Sequence, residues 1–300
     1  MSPAAVVFSA VPTLFSSDGE VDTGANRALY KHLAGLLDGL FVAGTTGEFP
    51  ALDDAERLSL IELALAEAGP DRVIAHVGMP DARHSARLAR AAAALGATRL
   101  AAITPFYLPA RPDEVCDHYR RIRDAAASAE LYAYIFPERT GLRVPPPLFA
   151  AMAEAAGLAG GKLSGSAAGE LAGYVAAAPG LRMFSGDDSN PAATMRAGGA
   201  GVISGRSSAY PEVYAALVAA LGSSNSGASG DSGDAGDSRD EEAVVRHQLA
   251  LDRIVGLGAS IGRLKHALAL RGLGGTTARM TVDPPDASLS AAIAAEVAAL

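Results

Sequence analysis

The stretch LFVAGTTGEFPALDDAERLSLIELALAEAGPDRVIAHV, residues 40–77, contains one complete strand–loop–helix–strand unit. Residues 40–43 and 73–77 are short apolar runs. Between them Leu58, Ile61 and Leu65 recur at helical spacing, after an acidic start at Asp53 and Glu56 and before a Gly69-Pro70 stop. The two runs are too brief and too continuous for half-exposed strands. They read as strands of a parallel sheet covered on both faces. Parallel neighbours need a crossover, and the helix supplies it.

The same alternation extends in both directions. Further strands are expected at 5–11, 100–103, 131–135, 158–162, 182–185 and 201–203, which makes eight in all. Leu29, Leu33, Leu36 and Leu37 mark the apolar face of an earlier helix. Eight units within residues 1–221 fit a closed (β/α)8 barrel. A doubly wound open sheet is the rival; it usually carries a glycine fingerprint after its first strand, and Pro12-Thr13-Leu14-Phe15 is not one. From 222 to 240 the composition turns to Ser, Gly and Asp, which predicts a flexible insertion. Its spaced aspartates Asp231, Asp234 and Asp237 lack the glutamate of a calcium loop. Residues 241–300 regain helical periodicity and are expected to form a C-terminal helical layer packed with the barrel.

With 300 residues, 49% of them apolar, the chain can bury a large core. A net charge of −8 argues against an extended nucleic-acid footprint. The single cysteine, Cys116, cannot form an internal disulfide and reads as a buried structural thiol, so nothing points to an oxidising compartment. No basic region precedes an apolar run at the N-terminus, and no segment is long and apolar enough to span a membrane. A cytoplasmic protein is expected, with small molecules as partners and neither nucleic acid nor membrane.

In a parallel barrel the reactive groups lie at the carboxyl ends of the strands. After the second strand comes Gly44-Thr45-Thr46-Gly47-Glu48, whose hydroxyls and amides suit a small carboxylate; a glycine turn with threonine caps would look the same. The fifth strand ends at Tyr134, followed by Pro137-Glu138-Arg139-Thr140-Gly141. The sixth ends at Lys162, within Gly160-Gly161-Lys162-Leu163-Ser164-Gly165. A lysine buried there would lose ammonium character and present a nucleophilic amine. A snorkelling surface lysine is the bland alternative.

Taken in order, these motifs, with Thr104-Pro105-Phe106-Tyr107, Ser185-Gly186-Asp187-Asp188 and Gly201-Val202-Ile203-Ser204, resemble the dihydrodipicolinate synthase / N-acetylneuraminate lyase family of pyruvate-dependent class I aldolases. The resemblance runs from about Val6 to Ala220, more loosely beyond. It implies a lyase without cofactor or metal, in which Lys162 forms a Schiff base with pyruvate and Tyr134 shuttles protons. Thr45 would link Tyr134 to Tyr107, a second phenol that in this family reaches across a dimer interface. Thr46 and Gly47 would hold the pyruvate carboxylate, Gly186 and Ile203 would line the pocket, and Arg139 would take the carboxylate of an acceptor such as aspartate semialdehyde. An ion pair with Glu138 or an interface acid is the structural alternative for Arg139. A homodimer or homotetramer follows from the shared tyrosine.

Departures from the synthase pattern lie on the acceptor side. Ile135 stands where asparagine is usual, Leu163-Ser164 follow the lysine, and Phe49-Pro50 follow the threonine loop. His84 and Phe106 stand where a feedback lysine site would need an acid and a phenol, so no such regulation is expected. A 2-keto-3-deoxy sugar acid aldolase or dehydratase of the same family is therefore the alternative, and a non-catalytic keto-acid-binding barrel is the alternative of another class. Asp187-Asp188 has no histidine at ligand spacing and is expected to cap the next helix rather than bind a metal.

Overall fold

The structure is a computed structural model and describes residues 6–226 and 235–300. Eight parallel strands close into a barrel in chain order: β1 (Val6–Ala10), β2 (Gly39–Val42), β3 (Val73–His76), β4 (Arg99–Ile103), β5 (Glu130–Ile135), β6 (Gly160–Leu163), β7 (Arg182–Ser185) and β8 (Gly201–Ser204). β8 pairs with β1 through Val7↔Val202 and Phe8↔Ile203, so no edge is left open. Around them run α1 (Thr23–Ala34), α2 (Asp54–Ala68), α3 (Ala82–Ala94), α4 (Pro112–Ala125), the short α5 (Pro137–Thr140), α6 (Pro146–Ala156), α7 (Leu171–Ala177), α8 (Pro191–Arg196) and α9 (Pro211–Ser226). Three more helices follow: α10 (Ala235–Gly256), α11 (Ile261–Leu270) and α12 (Ala287–Ala298).

Strand alternation sorts the apolar side chains into two cores. Leu131, Ala133 and Ile135 point outward and pack under the helices, in one cluster with Leu33, Leu60 and Ile122. Tyr132 and Tyr134 point inward, where they meet Phe8, Phe41, Ile74, Ile103, Phe184 and Ile203. The barrel interior is thus a filled core, and Lys162 shares its layer by register with Tyr134 on one side and Phe184 on the other.

The helix boundaries follow local chemistry. α2 opens with a capping box: Asp53 accepts from the Glu56 amide at 2.8 Å, and Glu56 accepts from the Asp53 amide at 3.0 Å. α1 stops earlier than the leucine spacing predicts. Gly35 caps it, Leu36 turns out to solvent at 39% exposure, and Leu37 is buried as the chain enters β2.

Part of the segment 222–240, expected as an insertion, is helical. Residues 222–226 close α9 and 235–240 open α10, two helices that pack on each other; 227–234, with Asp231 and Asp234, lie outside the described residues. The C-terminal helices and the segment after α11 are tied to the barrel by ion pairs, Arg271 with Glu212 and Arg279 with Glu56. Among the described residues no helix is long and apolar enough to cross a membrane.

Candidate active site

Lys162 sits on β6 at 5% exposure, its side chain aimed along the barrel axis by strand alternation. Nζ lies 4.3 Å from the ring centre of Tyr134 and 4.4 Å from that of Phe41. Two aromatic faces favour an ammonium slightly, but loss of water dominates. Burial pulls the Lys162 pKa down to about 7, against an opposing pull from the Asp188 carboxylate. Much of the amine is therefore uncharged near neutrality.

Tyr134, fully buried at the end of β5, shares a 3.2 Å hydrogen bond with the Thr45 hydroxyl. Burial raises its pKa, while the hydroxyls of Thr45 and Ser164 and the charge of Arg139 pull the other way. A phenol with polar partners that assist either protonation state can give and take a proton. Lys162, Tyr134, Thr45, Thr46, Arg139, Gly186 and Ile203 line one cavity of about 240 Å³ at the carboxyl end of the barrel.

The threonine loop is held in a strained shape. Ala43 and Glu48, which flank it, both adopt left-handed backbone, with φ of 54° and 56°. Each such residue costs roughly 1–3 kcal/mol and persists only where neighbours enforce it. His76 enforces the first: the Ile103 amide donates to Nε2 at 3.2 Å, which leaves the proton on Nδ1 to donate to the Ala43 carbonyl at 2.9 Å. Burial, with Arg57 beside it, keeps His76 well below its ordinary pKa, so this neutral tautomer is the one present.

The second strained residue is clamped by the C-terminal layer. Glu48 is wholly buried, with Lys265 Nζ at 2.5 Å on one carboxylate oxygen and the amides of Arg279 and Met280 at 2.9 and 2.8 Å on the other. Gly47, expected among the substrate-binding residues, does not line the cavity. Its carbonyl instead accepts from the Thr13 hydroxyl at 2.7 Å, so it anchors the loop.

The remaining residues divide. Gly186 is required by space: a Cβ there would lie 2.1 Å from Ser164 Oγ and 2.9 Å from the Leu163 carbonyl. Arg139 is exposed at the rim, stacked 5.7 Å over Phe136; Glu138 turns away to accept from the Ser166 amide at 2.8 Å and makes no ion pair with Arg139. Tyr107 stands apart, 91% exposed with a φ of 78°, and lines a separate surface cavity. Asp188 is buried and bound to Arg206 and, at 2.5 Å, to the Ser204 hydroxyl. It does not cap α8; Asn190 does, accepting from the Ala193 amide at 2.9 Å. Among the described residues no group of three or more His, Cys, Asp or Glu gathers as a metal site.

A family model described as the dihydrodipicolinate synthetase family matches residues 3–291. A DapA-like lyase of Halobacterium salinarum is 34% identical over 293 residues, covering 97% of this chain and 92% of that protein. The chain belongs to the dihydrodipicolinate synthetase family. A 4-hydroxy-tetrahydrodipicolinate synthase of Kineococcus radiotolerans is 34% identical over 230 residues, 75% of this chain and 73% of that protein. Among solved structures, a catalytic lysine mutant of the Ruminococcus gnavus sialic acid aldolase superposes with a TM-score of 0.85 at 22% identity, covering 99% of this chain and 96% of that one. At that identity the likeness concerns the fold.

Membership in the family makes this protein a lyase of the class I aldolase type. Within its site the sequence reading missed Ser164, Asp188 and Arg206, and also Ser260, Ile261 and Leu264 of the C-terminal layer, all of which line the cavity. Ser164 and Asp188 belong to the quoted motifs, two residues past Lys162 and Gly186, a position that could have marked them as cavity residues. The C-terminal contributors carry none, because no local pattern says which barrel mouth a late helix will cover.

Proposed function

We propose that this dihydrodipicolinate synthetase family member joins pyruvate to a carboxylate-bearing aldehyde, or splits the product, through a Schiff base on Lys162. The observation that carries this is the Lys162 amine, stripped of water beside the Tyr134 ring at the wall of a cavity with room for a small acid. Its lone pair attacks the pyruvate ketone, and the carbinolamine loses water to give a protonated imine. That cation draws off the electrons of the methyl C–H bond; the proton passes to the Tyr134 oxygen, which has given up its own to the departing water, and the enamine carbon attacks the aldehyde carbon. The aldehyde oxygen takes a proton from Tyr134, and water then hydrolyses the imine to free the amine.

Thr45 and Thr46, with loop amides, suit the pyruvate carboxylate, and Gly186 and Ile203 shape the wall around it. The unpaired guanidinium of Arg139 suits a carboxylate on the acceptor. The protein acts in the cytoplasm on these small molecules, as a homodimer or homotetramer. Incubation with pyruvate and borohydride, followed by intact-mass measurement, tests the reading. Reduction should fix one pyruvate-derived group per chain on Lys162, and an unshifted mass would sink it.

Tyr134→Phe should lower kcat by about 10²–10⁴, the usual loss when a positioned proton donor is removed. Single-turnover measurement of imine formation and of aldehyde consumption should show both steps slowed; an unchanged kcat would take Tyr134 out of the chemistry. Tyr107, being turned to solvent, fits a role completed by a second copy of the chain. Activity recorded across a size-exclusion profile should follow the dimer or tetramer, and full turnover in a monomer fraction would contradict the shared site.

A further inference from the structure

A second cavity of about 220 Å³ opens beside the lysine pocket. The two share Thr45, Arg139 and Ile261 as common wall, so a molecule whose reacting carbon lies near Lys162 can extend into it. Its other walls are apolar: Phe49, Pro50, Ile103, Phe106 and Met280, with Thr281 at the margin. Resting on the Schiff-base reading, we infer that the acceptor is an aldehyde with an apolar or aromatic body, its carboxylate at Arg139, and not a polyhydroxylated sugar or an amino-acid semialdehyde.

The apolar wall is built, not incidental. Phe49 is 4% exposed and is fixed from three sides: edge-on to His76 at 4.6 Å, edge-on to Phe106 at 6.0 Å, and backed by the Arg57 guanidinium at 5.4 Å. Arg57 is itself buried and donates to the His76 carbonyl at 2.8 Å. The side chain that faces the acceptor therefore cannot swing away to admit water or a hydroxyl.

A sugar aldehyde seated there would bring several hydroxyls against walls that offer the Thr45 and Thr281 hydroxyls and the Arg139 guanidinium as their only polar side chains. Each hydroxyl left unpaired loses its hydrogen bonds to water with nothing in return. The same holds for the ammonium of an amino-acid semialdehyde, since no carboxylate lines the cavity. An apolar chain or ring sheds no hydrogen bonds and covers Phe49, Phe106 and Met280 from solvent. Carbon–carbon bond formation proceeds as above and needs no further reactant: the product is a 4-hydroxy-2-oxo acid that carries the apolar body.

The test is a panel of aldehydes supplied with pyruvate: 4-carboxybenzaldehyde, 6-oxohexanoate, aspartate semialdehyde and glyceraldehyde, each followed by loss of aldehyde and by product mass. The first two should show kcat/KM at least about tenfold above the last two. Met280→Gln places an amide in the wall at a half-open position whose backbone amide alone holds Glu48, so folding is little disturbed. It should narrow that ratio about tenfold. Equal or better turnover of glyceraldehyde or aspartate semialdehyde overturns the inference, as does a panel in which no aldehyde is consumed. Borohydride trapping of pyruvate on the same sample separates the two levels: a trapped adduct with the wrong acceptor preference defeats this inference alone, and no adduct defeats the chemistry beneath it.

Discussion

Lys162→Met is expected to abolish turnover and, at neutral pH, to make the protein more stable. The activity falls by at least about 10⁴-fold, since among the described residues Lys162 is the one amine that lines the cavity and can act as covalent nucleophile. The stability gain follows from linkage. Burial takes the Lys162 pKa from about 10.5 to about 7, so between these values the unfolded chain holds a proton that the folded chain has released. Stability then rises with pH across that window, and at pH 7 and below the folded state carries the full penalty of the buried amine. A shift of this size corresponds to a few kcal/mol on the order of 1.4 per pH unit, and methionine fills the same space without it. A Tm higher by a few degrees at pH 7, shrinking to little above pH 10.5, is the expected pattern in thermal scans. In the wild type, adduct formation with pyruvate should accelerate as pH rises through 7 and then level off. A less stable Lys162→Met protein at pH 7 would mean that the amine is hydrated after all.

That prediction depends on a direction that the sequence already contained. β6 is only Gly160–Leu163, yet Lys162 alternates with outward-facing Gly161 and Leu163, so an inward amine follows once the run is read as a covered parallel strand. Tyr134 follows in the same way on β5, in register with it. Arg139 and Gly186 were legible as residues just past strand ends, where a barrel gathers its chemistry. Gly47 does not line the cavity although its neighbours Thr45 and Thr46 do; a loop residue's side is set by its turn, and the Thr13 bond that fixes this one comes from another strand's end. Asp188 was misread for a related reason: a polar residue before a helix looks like a cap, and only the fold brings Ser204 and Arg206 to it.

The roles of His76 and Glu48 were out of reach for a different cause. His76 holds the left-handed Ala43 and Glu48 is itself left-handed, one at each end of the threonine loop, and strain of that kind has no signature in composition or period. His76 is an apolar-strand histidine by sequence, and its two ring bonds become visible only when β2 and β4 flank it. Cys116 shows a smaller gap of the same sort: it is half-buried on α4, with burial pushing its thiol pKa up, rather than enclosed in the core.

Lys265→Met is expected to destabilise the protein by about 3–5 kcal/mol, the usual result of leaving one charge of a buried pair without its partner. Glu48 and Lys265 lie 217 residues apart in the chain and are both fully buried, so the carboxylate cannot turn to water. Two backbone amides, of Arg279 and Met280, would remain on it, which keeps the loss at the lower end of that range. Glu48→Gln errs the other way: Lys265 loses its counter-charge and keeps the Thr277 carbonyl at 2.7 Å, the Phe15 ring at 4.5 Å and at best a neutral amide oxygen, in a place where burial already lowers its pKa. The double variant Glu48→Gln/Lys265→Met removes both charges and should recover roughly 1–3 kcal/mol relative to the sum of the singles. Denaturant midpoints for the four proteins give the coupling directly, and additive losses would show that the pair is not the clamp. The functional readout separates clamp from mere ballast. With Glu48 loosened, the left-handed turn at its own position is no longer enforced, so Thr45 and Thr46 lose their fixed approach to the cavity. The KM for pyruvate should rise several-fold in either single variant, under conditions where each is still folded, while the adduct on Lys162 continues to form. On the proposed chemistry the C-terminal layer would thus act on pyruvate binding from outside the barrel, through one carboxylate held on three sides.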